Sequence, residues 1–185
     1  MNHYYENIHG WFNFKNLYTN IVNQSNDGAH FVEVGTWQGQ SAIYMAVEII
    51  NSNKKIKFDC VDTWEGSAEH ANEESVKEKN LYNIFLENIN PVKHIINPIK
   101  LSSMEAANLY SDNSLDFVFI DASHDYENVK NDILAWFPKV KTNGIIAGHD
   151  YDDHWSGVKK AVNEFIQNNN YKLSIEQETC WGIKK

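Results

Sequence analysis

The chain has 185 residues, 42% of them apolar and 13% aromatic, which is enough to build the core of one domain. Its formal net charge is −9 and all 16 of its basic residues are lysines, so no guanidinium fork is available for phosphates and a nucleic-acid surface is disfavoured. The two cysteines lie far apart, the N-terminus has no basic start or apolar h-region, and no apolar run nears the roughly 20 residues that cross a bilayer; a soluble, cytoplasmic protein without a membrane partner is expected.

Helical and strand patterns alternate along the chain and predict an α/β fold, with a mostly parallel sheet covered by helices on both faces. Phe14, Leu17, Tyr18, Ile21 and Val22 mark an amphipathic first helix that ends at Ser25-Asn-Asp-Gly28. Strands are predicted at 30–34, 56–61, 94–100, 115–120 and 144–148, and helices at 39–51, 75–90, 102–110, 126–140 and 156–169. Ser75-x-x-Glu78 and Ser102-x-x-Glu105 have the form of capping boxes. Val129, Ile133, Trp136, Phe137 and Val140 form one stripe, read as core. Tyr171–Ile175 and Cys180–Lys184 read as two closing strands. The expectation is a single domain over 1–185, with a helical cover at 1–28, a core at 29–170 and closing strands at 171–185.

Phe31-Val-Glu-Val-Gly-Thr-Trp-Gln-Gly-Gln-Ser41 is an apolar strand that delivers an acid and two glycines into a helix, the arrangement of a nucleotide-type cofactor site. The spacing Gly35-x-x-x-Gly39 is not that of a dinucleotide site, and Glu33 suits a cofactor carrying an ammonium group rather than a pyrophosphate. Ligands of open parallel sheets bind at the carboxyl ends of the strands. Those ends carry Glu33, Asp62, Asp121 and the pair His149-Asp150. Asp62 has two readings, a ribose acceptor and a turn cap. Asp121 and Asp150 are candidate ligands for a divalent cation, with His149 a third, while His124 is a candidate base. The competing reading of both histidines is that they cap helices or satisfy loop backbone. Asp152, Asp153 and His154 read as a solvated loop.

Glu33-Val-Gly-Thr-Trp-Gln-Gly39, Val61-Asp-Thr-Trp64, Phe119-Ile-Asp-Ala-Ser-His-Asp-Tyr126 and Gly144-Ile-Ile-Ala-Gly-His-Asp-Tyr151, followed by Gly157-Val-Lys-Lys-Ala-Val162, occur in this order. At these residues the chain resembles class I S-adenosylmethionine-dependent methyltransferases, specifically the family related to the macrocin and mycinamicin sugar O-methyltransferases. The resemblance implies the Rossmann-like, seven-stranded methyltransferase sheet with its last strand antiparallel. It also implies that Glu33, Gly35, Thr36, Gly39 and Ser41 surround the methionine end of the cofactor, that Asp62, Thr63 and Trp64 surround the ribose, and that Ser103 and Met104 border the adenine. Asp121 touches the cofactor as well and acts beside the base His124. In metal-dependent relatives the Asp121 position and an acid pair at 149 and 150 bind Mg²⁺. Here His149 replaces the first acid of that pair; as a ligand it favours Mn²⁺, Fe²⁺ or Zn²⁺, and the other reading sets it beside the ligands rather than among them.

The activity expected is methyl transfer to a hydroxyl on a small polar acceptor such as a sugar or glycoside. The loop Trp64-Glu-Gly-Ser-Ala-Glu-His70 and the aromatics Tyr4, Tyr5, Trp11 and Phe12 are the expected covers, and exposed N-terminal aromatics leave room for a homo-oligomer. Two other readings are an NAD-dependent oxidoreductase on a similar sheet, disfavoured by Glu33 and the glycine spacing, and a non-catalytic cofactor-binding subunit, disfavoured by the Asp121/His124/Asp150 set.

Overall fold

The five strands predicted for the parallel sheet all form, joined by the two closing strands. The computed structural model describes residues 1–67, 70–177 and 179–185. Among them, β1 (His30–Val34), β2 (Lys57–Asp62), β3 (Ile96–Lys100), β4 (Leu115–Ile120), β5 (Val140–Gly148), β6 (Leu173–Glu176) and β7 (Cys180–Lys184) build one sheet in the order β3-β2-β1-β4-β5-β7-β6. β1 to β5 pair in parallel, and β7 runs antiparallel to both β5 and β6. Because β1 lies between β2 and β4, chain order reverses there, and the loops leaving β1 and β4 part to opposite faces and open a crevice.

The helices are α1 (Lys15–Gln24), α2 (Gln40–Ser52), α3 (Glu74–Lys77), α4 (Leu81–Ile89), α5 (Ser103–Ala107), α6 (Tyr126–Trp136) and α7 (Ser156–Asn169). Strand alternation divides the core between the two faces of the sheet. Phe31, Phe58, Cys60, Phe117 and Phe119 meet α1, α2 and α4, whereas Val32, Val34, Val61, Val118 and Ile120 meet the faces of α5, α6 and α7. The same alternation turns Glu33 towards α1 and α2.

Three expectations change. The helix predicted at 75–90 splits at Lys79, whose φ of +53° ends α3, and the amide of Asn80 bonds back to the Ser75 carbonyl. Ser75 therefore lies inside α3, its hydroxyl without a partner among the described residues, and does not cap the helix, whereas the Ser102/Glu105 capping box forms in both directions. The helix predicted at 126–140 stops at Trp136 in a short 3₁₀ turn containing Pro138, and β5 begins at Val140, four residues earlier than expected. The N-terminal aromatics do not form an exposed patch: Tyr4, Tyr5 and Phe12 pack on the core, while Trp11 remains 58% exposed. No helix among the described residues is long and apolar enough to cross a membrane.

Candidate active site

The turn after β1 leaves no room for another residue type at its first glycine. Gly35 has φ +86°, and a Cβ there would overlap the Asp121 carbonyl oxygen and come 2.8 Å from the Ala122 Cα. The two central strand ends thus touch through backbone. Gly39, at φ +90°, is the N-cap of α2 and sets the free amides of the helix start beneath the turn.

Glu33 is 1% exposed. Its two oxygens accept hydrogen bonds from the Tyr18 hydroxyl (2.6 Å) and the Ser41 hydroxyl (2.8 Å). Burial pushes its pKa up to about 8, against the lowering effect of these two donors. Glu33 lies behind Ser41, which lines the larger cavity described below.

Asp62 ends β2 facing the turn. One oxygen accepts the amides of Thr36 (2.9 Å) and Trp37 (3.0 Å), and the other accepts that of Trp64 (2.7 Å). Burial raises its pKa, and those backbone donors pull the other way. Trp64 makes this contact from the core, where its ring packs on Tyr82 and Phe85. Both sequence readings of Asp62 are therefore compatible with its place, because it ties the turn together and also lines a cavity.

That cavity, of about 300 Å³, runs from Gly35, Trp37, Asp62 and Thr63 past Ser103 and Met104 to Asp132. A second cavity of about 540 Å³ adjoins it and shares Gly35, Trp37, His70, Asp121 and Ala122. Trp11, Phe12, Phe14 and Trp155 wall this chamber, and Thr36, whose buried hydroxyl has no partner among the described residues, also faces it. The two expected covers meet there, with Trp11 stacked on His70 at 5.4 Å between ring centroids; Ala68 and Glu69 of that loop lie outside the described residues. Gln40, the first residue of α2, donates from Nε2 to the carbonyls of Ile8 (2.8 Å) and Tyr5 (3.4 Å) and so ties the N-terminal wall down.

The acids and imidazoles gather where the cavities join. Ligand atoms of Asp121, His124 and Asp150 lie within 4.8 Å of one another. Asp150 has φ +60°, and its Oδ2 lies 2.9 Å from His124 Nε2 and 3.2 Å from His149 Nδ1. His149 Nδ1 is 3.8 Å from Asp121, and its Nε2 is 3.0 Å from both Asn13 Oδ1 and Thr179 Oγ1. His124 stacks on Trp155 at 3.9 Å. His124 thus belongs to the compact donor cluster from which the sequence reading separates it as a base, and His149 closes the cluster on the β7 side.

Burial, together with the charge of Asp150, raises the Asp121 carboxyl to about 6, with both imidazoles opposing. Burial acts on Asp150 in the same sense, but hydrogen bonds from His124 and His149 override it and hold its pKa well below the usual carboxylate range. His149 is raised, because the two acids outweigh its own desolvation. Asp152 accepts the amides of His154 and Trp155, and Asp153 pairs with Lys159 at the surface, as a solvated loop requires.

Sequence reasoning missed Tyr18, Asn13, Trp155, Thr179 and Asp132 as neighbours of the site. Tyr18 reads as an ordinary apolar position of the first helix, and the others reach the site through contacts distant in sequence.

The family model described as a methyltransferase domain matches residues 32–151, the stretch from β1 to the end of β5. An uncharacterised protein of Acanthamoeba polyphaga mimivirus is 32% identical over 151 residues, or 76% of this chain and 60% of that relative, so the chain spans about three-fifths of its length. The fold is similar to that of the O-methyltransferase NovP, with a TM-score of 0.71 and 15% identity over 92% of this chain and 78% of the other. It is also similar to a Streptococcus mutans protein in complex with S-adenosylhomocysteine, with a TM-score of 0.62 and 13% identity over 95% of this chain and 99% of the other. The matched stretch holds the glycine turn, Asp62, Asp121, His124 and the His149-Asp150 pair, and the chain belongs to the methyltransferase-domain family, with the fold of the class I S-adenosylmethionine-dependent enzymes.

Proposed function

We propose that this domain transfers the methyl group of S-adenosylmethionine to a hydroxyl of a small polar acceptor, a sugar or glycoside of the kind used by the macrocin and mycinamicin O-methyltransferase family. The observation that carries this reading is the meeting of two cavities at Asp121, one over the glycine turn and one walled by aromatic rings, with the acid–imidazole cluster at the junction. No lysine lines either cavity among the described residues, which favours a neutral acceptor over a phosphorylated one. Tryptophan faces suit the C–H face of a sugar ring.

In this reading Glu33, with Ser41 and the amides at the start of α2, serves the amino-acid end of the cofactor, and Asp62 and Thr63 its ribose. Ser103 and Met104 border the adenine. The sulfonium methyl is already electrophilic, so the protein's task is to align the acceptor oxygen with it as the S–CH₃ bond breaks and the O–CH₃ bond forms. His124 takes the acceptor proton, held in place by its stack on Trp155, and Asp150 keeps a carboxylate 2.9 Å from the new imidazolium.

The compact donor set is Asp121, His124 and Asp150; with His124 kept as the base, Asp121 and Asp150 would hold a hard or borderline divalent ion, and His149 Nδ1, 3.8 Å and 3.2 Å from them, would be its nitrogen donor. Such an ion, Mg²⁺ or Mn²⁺, supplies Lewis acidity that eases deprotonation of a hydroxyl.

Thermal unfolding tests the reading. S-adenosylhomocysteine should raise Tm and NAD(H) should not, because only a ligand of the native state stabilises it. Mn²⁺ should add a further rise that Asp150→Asn abolishes. No response to S-adenosylhomocysteine would refute the methyltransferase assignment of the site, and a response without any metal effect would remove the ion from it.

A further inference from the structure

We infer that Asn13 and Thr179 are positioning residues that make His149, rather than His124, the nitrogen donor to a divalent ion held between Asp121 and Asp150. The inference rests on the ion proposed above and gives different tasks to the two imidazoles that flank Asp150. A carboxylate offers either oxygen to a cation over a range of side-chain rotations, whereas a neutral imidazole offers one lone pair in the plane of its ring. A histidine ligand therefore works only when its ring angle and its tautomer are both fixed, and a hydrogen bond on the far nitrogen fixes them.

His149 is held in this way from three sides. Its amide continues the parallel ladder to the Ile120 carbonyl (3.2 Å), its ring lies against Phe14 at 4.9 Å between centroids, and its Nε2 is 3.0 Å from Asn13 Oδ1 and from Thr179 Oγ1. The Asn13 carboxamide oxygen can only accept, so Nε2 carries the ring proton and the Thr179 hydroxyl oxygen shares it. The lone pair of a neutral His149 then falls on Nδ1, which faces Asp121 and Asp150. Both partners are themselves fixed. Gln177 donates from Nε2 to the Asn13 carbonyl (3.1 Å) and accepts the Leu17 amide at Oε1 (3.1 Å), while the Thr179 carbonyl accepts the Tyr151 amide (2.8 Å). The turn between β6 and β7 and the start of α1 thus converge on one imidazole nitrogen. His124 stacks on Trp155 with its Nε2 2.9 Å from Asp150, the arrangement of a base backed by an acid.

The test is Mn²⁺ binding, followed by calorimetry and by pulsed electron paramagnetic resonance with Mg²⁺ as the hard-ion comparison. Bound Mn²⁺ should show the coupling of a directly ligated nitrogen in the wild type and in His124→Gln, and lose it in His149→Gln. Asn13→Leu combined with Thr179→Val should weaken Mn²⁺ roughly 10- to 100-fold, the effect of groups that orient a ligand, and Mg²⁺ much less. The Mn²⁺/Mg²⁺ affinity ratio therefore collapses while the Kd for S-adenosylhomocysteine stays nearly unchanged. Asn13→Asp, which still accepts the Nε2 proton, should keep the wild-type ratio. Nitrogen coupling that disappears in His124→Gln or survives in His149→Gln, or a ratio unchanged by the paired substitution, overturns the inference and leaves the ion on the two acids. If the paired variant does not fold, the spectra of the wild type and the two histidine variants decide by themselves. Absence of Mn²⁺ binding to the wild type overturns the inference and the ion together, and leaves the methyltransferase reading to the S-adenosylhomocysteine test.

Discussion

Replacing Glu33 with glutamine should make the protein more stable and less able to bind its cofactor. The buried carboxyl has a pKa pushed up to about 8, whereas an unfolded glutamate titrates near 4.5. A carboxyl raised in this way contributes stability that is fully present below about pH 4.5 and is lost as pH rises through about 8, since the unfolded chain releases its proton first. At 1.36 kcal/mol per unit the full loss is on the order of 5 kcal/mol, of which about 3 kcal/mol falls between pH 5 and 7.5. Glutamine keeps the shape and does not titrate, and the Tyr18 and Ser41 hydroxyls can rotate to meet its amide at a cost of about 1 kcal/mol. Urea unfolding of both proteins between pH 5 and 8 isolates the effect, because their difference cancels every other titrating group. Glu33→Gln should gain about 3 kcal/mol on the wild type across that range while its affinity for S-adenosylhomocysteine falls, because a bound ammonium would draw the proton off Glu33 and glutamine cannot supply that charge. A flat difference, within about 0.5 kcal/mol, would mean that Glu33 is already ionised at pH 5 and would refute the reasoning.

Other perturbations separate the roles of the site. His124→Gln should lower kcat by about 10²- to 10⁴-fold with the Kd for S-adenosylhomocysteine nearly unchanged; an equal loss in both would disprove the division between base and cofactor site. Gly35→Ala forces a side chain into the β4 backbone at a left-handed φ and should destabilise the fold by about 3 kcal/mol or more, measured as a drop in the urea midpoint. Ser102→Ala removes the cap of α5 at a cost of about 1 kcal/mol, and should loosen cofactor binding through Ser103 without changing the pH dependence of turnover.

The strand ends were legible because four of the five parallel strands end at or beside an acid, β3 with Lys100 being the exception, and the sheet rule says which ends of the strands face ligand. Hence Glu33, Asp62, Asp121 and Asp150 all appear where period and polarity change together. The environment of each acid was not legible. Tyr18 reads as one more apolar position on α1, yet it supplies half of the hydrogen bonding to Glu33. The break at Lys79 has no local signal, since lysine carries no preference for a left-handed φ. Asp150 sits between two imidazoles because its own φ is positive, and Thr179 reaches His149 across the β7 edge; both depend on tertiary geometry rather than on spacing. Asp132 falls next to a core stripe, and its place on the wall of the smaller cavity depends on tertiary geometry.

The bond from Gln40 to the N-terminal segment bears on the order of events in turnover. Gln40 opens the helix whose first amides lie under the cofactor turn, and the same side chain anchors the wall that carries Trp11, Phe12 and Phe14. On the proposed reading, an occupant of the turn would steady the wall of the neighbouring chamber through Gln40. Steady-state kinetics should follow a compulsory sequence with the methyl donor first, so that S-adenosylhomocysteine competes with the donor and acts as a non-competitive inhibitor towards the acceptor.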